Sequence, residues 1–101
     1  MPQRKVTMYK TSIVAFKHLQ VSLPNSGFRI VSLDRLYQVI YVRREGYFPS
    51  IILNFKIQLI GIGDKTLAII QSEGIMSIVT TLWRRHIVKL LNELEKCLKE
   101  S

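Results

Sequence analysis

The strongest constraint on the fold is a two-residue alternation over residues 50–60. Every second position carries a large apolar side chain: Ile51, Leu53, Phe55, Ile57 and Leu59. Polar side chains lie between the last of these, at Asn54, Lys56 and Gln58. Because successive side chains of a strand point to opposite faces, the pattern predicts a long strand in a sheet that is covered on one face only.

The C-terminal residues 75–99 can supply the cover for that face. Their apolar positions are spaced three or four apart, at Val79, Trp83, Ile87, Leu90, Leu94 and Cys97, and Leu91 and Leu98 widen the stripe. This spacing keeps one side of a helix apolar. We therefore expect a long helix packed across the apolar face of the 50–60 strand.

The remaining sequence divides into short elements. Residues 5–11, 28–33, 37–44 and 65–72 are rich in β-branched and aromatic side chains and predict strands. Residues 12–24 predict a short amphipathic helix that starts at a Ser12 cap, ends in the turn of Pro24 to Gly27, and buries Ile13, Phe16, Leu19 and Leu23. Residues 61–64 predict a hairpin turn.

These elements predict a single α+β domain over residues 1–101, with the order β-α-β-β-β-β-α. Short turns join the last four strands, so these strands should be antiparallel neighbours. The expected architecture is a curved, mainly antiparallel sheet, with a short N-terminal helix and a long C-terminal helix packed on one face.

Several short motifs carry a resemblance to known domains. They are Leu23-Pro24 before Gly27-Phe28-Arg29-Ile30, Ile40 with Arg43, Asp64-Lys65-Thr66, and Arg85-His86-Ile87 before Leu90 and Leu94. With these motifs, residues 5–98 resemble small uncharacterised prokaryotic α+β domains of the BamC/TATA-binding-protein-like type. The resemblance implies a short helix, a meander and a C-terminal helix across the sheet, and it implies no catalytic residue. Such domains often have a Ser-Trp-Gly-Glu turn, where this chain has Ser50-Ile51-Ile52-Leu53.

Composition predicts a cytoplasmic protein. Cys97 is the only cysteine, so no disulfide can form within the chain, which favours a reducing compartment. We expect no signal peptide and no membrane span, since the longest uncharged runs are near ten residues and a span needs about 20. Thirteen isoleucines, two alanines and many basic residues resemble the composition of a thermophilic archaeon or an archaeal virus.

The sequence offers little to a catalytic or metal site, so we expect no enzyme, no metal and no cofactor. The candidate metal ligands are His18, His86 and Cys97, and the last two lie about 16 Å apart along one helix, too far to share an ion. No Gly-x-Ser-x-Gly motif surrounds a serine. The glycines of residues 61–66 lack the spacing of a phosphate-binding loop.

Charge suggests a polyanionic partner. The net charge is +8, and residues 1–60 hold nine basic but only two acidic side chains. The sheet face opposite the core is expected to carry Arg29, Tyr41, Arg43, Asn54, Lys56 and Gln58. Further cations stand at the end of a strand and on the last helix, at Arg44, Arg84, Arg85 and Lys89. Cationic and aromatic side chains together can pair phosphates and stack bases, which favours binding of DNA or RNA.

A second interpretation remains open. The wide apolar stripe of the last helix, or an outer sheet face with Val39 and Ile60, could join two copies of the chain. The protein would then be a homo-oligomeric structural or interaction protein, and its positive charge would serve solubility alone. A third class, an apolar-ligand cavity beneath the helix, is disfavoured because the short chain needs its inward side chains to fill the core.

Overall fold

The computed structural model describes residues 3–45, 52–73 and 81–99, without the side chains of residues 45, 52, 81–84 and 86. It contains five strands and two helices in the predicted order. They are β1 (Gln3–Met8), α1 (Ser12–Asn25), β2 (Arg29–Asp34), β3 (Val39–Glu45), β4 (Ile52–Ile62), β5 (Lys65–Glu73) and α2 (Thr81–Lys99). The α+β class is confirmed.

All five strands form one antiparallel sheet in the order β1-β5-β4-β3-β2. The four central strands make the expected meander. The first strand of the chain joins the far edge by pairing with the last strand, so that Gln3 faces Gln71 and Met8 faces Thr66. Because every strand runs opposite to its neighbours, the connections between strands lie at one end of the sheet or the other.

One face of the sheet forms the core. Phe55, Ile57 and Leu59 of β4 are buried there, and Leu53 is half-buried against them. The same core contains the buried apolar residues of both helices, which are Ala15, Phe16, Leu19, Leu23, Ile87, Leu90, Leu91, Leu94, Cys97 and Leu98. The alternation in β4 therefore predicts the buried face correctly. Ile51 and Val79 lie outside the described residues, as does the side chain of Trp83.

The cover of this face is shared between the two helices. The closest backbone approaches of α2 are to β1 and β5, whereas α1 approaches β2, β4 and β5. We had expected the long helix alone to cover β4. The N-terminal helix takes part of that role, since α1 lies over β2 and β4 while α2 lies nearest to β1 at the sheet edge. Arg4 of β1 and Glu95 of α2 are 3.9 Å apart (Nε to Oε2) across this contact.

Several local predictions need correction. Strand β1 ends at Met8 and not at residue 11, and the carbonyl of Lys10 accepts a 2.8 Å hydrogen bond from the Thr66 hydroxyl. Thr11 and not Ser12 is the N-cap of α1, with no side-chain hydrogen bond. Ile13 is exposed, and Ala15 takes its place on the buried side. Strand β4 continues to Ile62, so the hairpin turn is only residues 63–64.

The end of α1 follows from Gly27. This glycine has φ of +88°, a left-handed conformation that side chains with a Cβ disfavour. The amide of Gly27 donates to the carbonyl of Pro24, and the amide of Phe28 donates to the carbonyl of Leu23. The two bonds make a Schellman motif, which satisfies the last helical carbonyls and turns the buried Phe28 toward Leu23.

Candidate nucleic-acid interface

We call the sheet face opposite the helices the outer face. In the described part of the chain, neither helix covers it. Alternation along the strands places Arg29, Tyr41, Arg43 and Lys56 on it. Arg29 lies directly opposite Arg43, and Tyr41 directly opposite Lys56. Cross-strand partners have Cβ atoms about 5 Å apart. Four of the predicted residues therefore form one continuous patch across β2, β3 and β4.

Two further polar side chains complete this patch. Asn54 and Gln58 flank Lys56 along β4, as the alternation predicts. The Nε of Arg43 donates to the Oδ1 of Asn54 at 3.2 Å. This bond uses one edge of the guanidinium and leaves its terminal amino groups for another acceptor.

The charges of the outer face are poorly balanced. Directly opposed like charges destabilise a sheet, yet Arg29 and Arg43 are opposed across β2 and β3. Within the described residues, neither they nor Lys56 form an ion pair. Strand alternation adds two acidic residues to this face where side chains are described: Glu73, opposite Asn54, and Asp34, opposite Val39. An anion that binds here would relieve the repulsion.

Strand β1 adds outer-face residues that local patterns do not reveal. Lys5 lies opposite Ile69, and Gln3 opposite Gln71, in line with Lys56 on β4. The polar row therefore extends across the sheet from β3 to β1. This extension of the row cannot be predicted from local sequence, because it depends on the pairing of the first strand with the last. Alternation within residues 5–11 alone could not show which strand lies beside Lys5.

Arg44 lies apart from the outer face. Being next to Arg43 in the strand, it points to the core side, where its Nη1 donates to the Oε2 of Glu93 on α2. Its guanidinium carbon lies 5.0 Å from the centre of the Phe28 ring. These contacts link the sheet to α2, so Arg44 has a structural role beside any binding role.

The Arg44–Glu93 pair should contribute measurably to stability. Its side chains are 27% and 35% exposed, so water screens the pair only in part. A double-mutant cycle with Arg44→Met and Glu93→Gln, read by urea unfolding, should give a coupling of about 1 kcal/mol. The Glu95–Lys99 pair, whose lysine is 63% exposed, is the control and should give about 0.3 kcal/mol. Equal couplings would contradict the structural role of Arg44.

The predicted cations of α2 do not join the patch. Arg85 and Lys89 are exposed on a helix that packs on the opposite side of the sheet. The side chain of Arg84 lies outside the described residues. The predicted cations therefore form two groups. One lies on the outer face of the sheet, and the other lies on α2, which packs on the opposite face.

A shallow depression lies at the β2 edge of the outer face. Gly27, Arg29, Arg43 and Arg44 line it, and its volume is about 210 Å³. Arg29 and Arg43 reach this depression from the outer face, and Arg44, whose guanidinium pairs with Glu93, reaches it from the core side. Guanidinium groups bind phosphate and carboxylate oxygens with two parallel hydrogen bonds. The depression is suited to an anionic group rather than to an apolar ligand.

The candidate metal ligands do not come together. His18 is exposed on α1, and Cys97 is buried on α2, where its sulfur accepts a hydrogen bond from the Ser26 hydroxyl at 3.4 Å. No three histidine, cysteine or carboxylate side chains lie close enough to hold an ion in residues 3–45, 52–73 and 81–99. Neither described helix is long and apolar enough to cross a membrane.

Comparison with known proteins informs the fold. No protein family matches the sequence, and no curated protein matches it. A solved START superfamily protein from Mycobacterium smegmatis is similar in structure, with a TM-score of 0.54 and 11% sequence identity over 98% of this chain and 94% of that one. The fold resembles the START fold. Ara h 8.0201 is similar too, with a TM-score of 0.51 and 10% identity over 96% of this chain and 92% of that one.

At such low identity the START-like fold carries no function with it. No match tests the resemblance to BamC/TATA-binding-protein-like domains, which stays a prediction.

Proposed function

We propose that the outer face binds single-stranded DNA or RNA. The observation that carries this proposal is the continuous patch of Arg29, Arg43 and Lys56 around Tyr41, on a sheet face that neither helix covers. A flat face with cations and an aromatic ring suits unstacked bases and their phosphates better than it suits a duplex groove. The proposal assigns no catalytic role to any residue.

The binding mechanism follows from the chemistry of the side chains. The guanidinium groups of Arg29 and Arg43 would pair with phosphates near the depression, while Lys56 would neutralise a neighbouring phosphate. Tyr41 is half-exposed between Ser32 and Lys56, and its ring would stack on a base. Displaced counterions would supply most of the binding free energy.

The test is a titration of a fluorescent single-stranded oligonucleotide at two salt concentrations. With about four phosphate contacts, at Lys5, Arg29, Arg43 and Lys56, the affinity should fall about fiftyfold between about 50 and 200 mM salt. Duplex DNA of equal length should bind more weakly, because its bases are not available to Tyr41. The proposal fails if no binding is seen at the lower salt, or if salt has no effect.

A homo-oligomer is the second candidate, and one observation favours it. Ile60 and Leu67 lie opposite each other on the outer face, with Ile69 beside them, at the end away from the arginines. Val39, which we had included in such a contact, is buried and cannot take part. A dimer in light scattering, with no oligonucleotide binding, would favour this function over the first.

A further inference from the structure

A second surface lies at one end of the sheet, away from the arginines of the outer face. The β1–α1 connection (residues 9–11), the β2–β3 turn (residues 35–38) and the β4–β5 turn (residues 63–64) all lie at this end. We call it the hairpin end. Two hydrogen bonds connect its parts to the sheet. The Thr66 hydroxyl of β5 donates to the Lys10 carbonyl in the β1–α1 connection, and the Leu59 amide of β4 donates to the Gln38 carbonyl in the β2–β3 turn at 3.0 Å.

Large apolar side chains at the hairpin end face solvent. Their exposed fractions run from 60% for Ile62 to 81% for Leu36, and the set is Tyr9, Ile13, Leu36, Tyr37 and Ile62. Among the described residues, Val21 on α1 is the one other large apolar side chain exposed to this extent. Single exposed apolar residues are ordinary, but five at one end of the sheet, on or beside three connections, make this end a candidate contact surface.

The β2–β3 turn holds two of these side chains outward. The Oδ1 of Asp34 accepts hydrogen bonds from the amides of Leu36 and Tyr37, both at 3.1 Å. Gln38 has φ of +53°, in the left-handed region that residues other than glycine rarely adopt. A turn that maintains such a conformation while it exposes a leucine is not arranged to bury that leucine within the chain.

Basic side chains surround this apolar cluster. Lys10, Arg35 and Lys65 lie on or beside the same three connections, and the Nζ of Lys65 is 5.4 Å from the centre of the Tyr9 ring. Two acidic residues are also present, but the carboxylate of Asp34 is occupied by the backbone of its own turn. The exposed carboxylate of Asp64 is therefore the acidic group left to offset the charge of these three cations.

The charges decide between two classes of partner. A second copy of this chain would bring Lys10, Arg35 and Lys65 close to the same residues of its own, in a protein of net charge +8. An anionic bilayer would attract these cations, while its interface would accept leucine and isoleucine and suits the amphipathic tyrosine ring. The complementarity therefore favours a lipid surface over self-association.

We propose that the hairpin end docks on an anionic lipid bilayer, with Leu36, Tyr37 and Ile62 entering the interface and Lys10, Arg35 and Lys65 meeting the headgroups. The docked protein is peripheral. By strand alternation Ile62 and Lys65 lie at the hairpin end of the outer face, but no docking residue belongs to the patch of Arg29, Arg43 and Lys56 around Tyr41, so this inference is independent of the proposed nucleic-acid binding.

The test is co-sedimentation of the full chain with sonicated vesicles at about 100 mM salt, using phosphatidylcholine alone and phosphatidylcholine with 30% phosphatidylserine. The wild type should sediment with the mixed vesicles and about tenfold less with the neutral ones. The double variant Leu36→Ser with Ile62→Ser should lose on the order of tenfold in vesicle affinity, because two apolar anchors are removed.

The matched control is Val21→Ser with Val88→Ser, which removes exposed apolar groups from the helices and should leave vesicle binding unchanged. Thermal unfolding of both double variants checks that each remains folded. The inference is overturned if the wild type does not bind the mixed vesicles, or if the Leu36 and Ile62 double variant binds them as well as the wild type. It is also overturned if that variant abolishes a dimer seen in light scattering while the wild type ignores vesicles.

Discussion

Replacing Arg43 and Lys56 by glutamine should weaken single-stranded oligonucleotide binding about a hundredfold at about 50 mM salt. Each phosphate contact on a single strand contributes about 0.7 to the slope of log K against log salt, which is about tenfold in affinity at that salt concentration. The double variant should therefore also flatten the slope by about 1.4. Fluorescence anisotropy at several salt concentrations measures both quantities.

The matched control removes the same charge from the other side of the molecule. Lys17 on α1 and Lys96 on α2 are exposed and lie on the helices, so Lys17→Gln with Lys96→Gln keeps the net charge of the test variant. Its affinity should stay within about threefold of the wild type, because only long-range attraction is lost. Equal losses in the two variants would mean that net charge and not the outer face attracts the nucleic acid.

Phe28→Ala should cost about 3–5 kcal/mol in the free energy of unfolding. The Phe28 side chain is 1% exposed, and its ring meets that of Phe55 edge to face with centres 6.5 Å apart. Arg44 lies over the same ring. Since a domain of this size is stabilised by about 5–15 kcal/mol in all, the variant should unfold at a much lower urea concentration.

Two substitutions calibrate that result. Phe28→Leu keeps most of the buried volume and should cost clearly less than Phe28→Ala. Val31→Ala, in the strand that follows, removes a side chain that is 49% exposed and should change the free energy of unfolding by about 0.5 kcal/mol or less. If Phe28→Ala and Val31→Ala cost the same, the packing around Phe28 is not what stabilises this end of the sheet.

The elements and the core were predictable because local periodicity reflects burial. Phe55, Ile57 and Leu59 alternate with polar residues, and all three are in the core. Leu90, Leu94 and Leu98 recur at helical spacing, and they are in the core too. The same logic failed at Ile13, because Ala15, Phe16, Leu19 and Leu23 share one side of the helix and Ile13 lies about 100° around the helix from the centre of that side.

The candidate site was predictable in part for the same reason. Arg29, Tyr41, Arg43 and Lys56 follow strand alternation, so their common face could be inferred without knowing how the strands pair. Arg44 is predicted from its charge at the end of a strand and not from alternation, which directs it to the core side, where it pairs with Glu93. Lys5 could not be assigned locally, because its place depends on a contact between distant parts of the chain.

The pairing of β1 with β5 has a consequence for the order of folding. Strand β1 leaves the ribosome first, but its partner β5 is among the last strands to be made, and Gln3 pairs with Gln71. The hairpins of β2 to β5 can form from neighbouring residues, whereas β1 has to close a long loop before it gains a hydrogen bond. Until then the β5 edge exposes unpaired backbone amides and carbonyls, and the nascent chain is open to strand exchange with another copy.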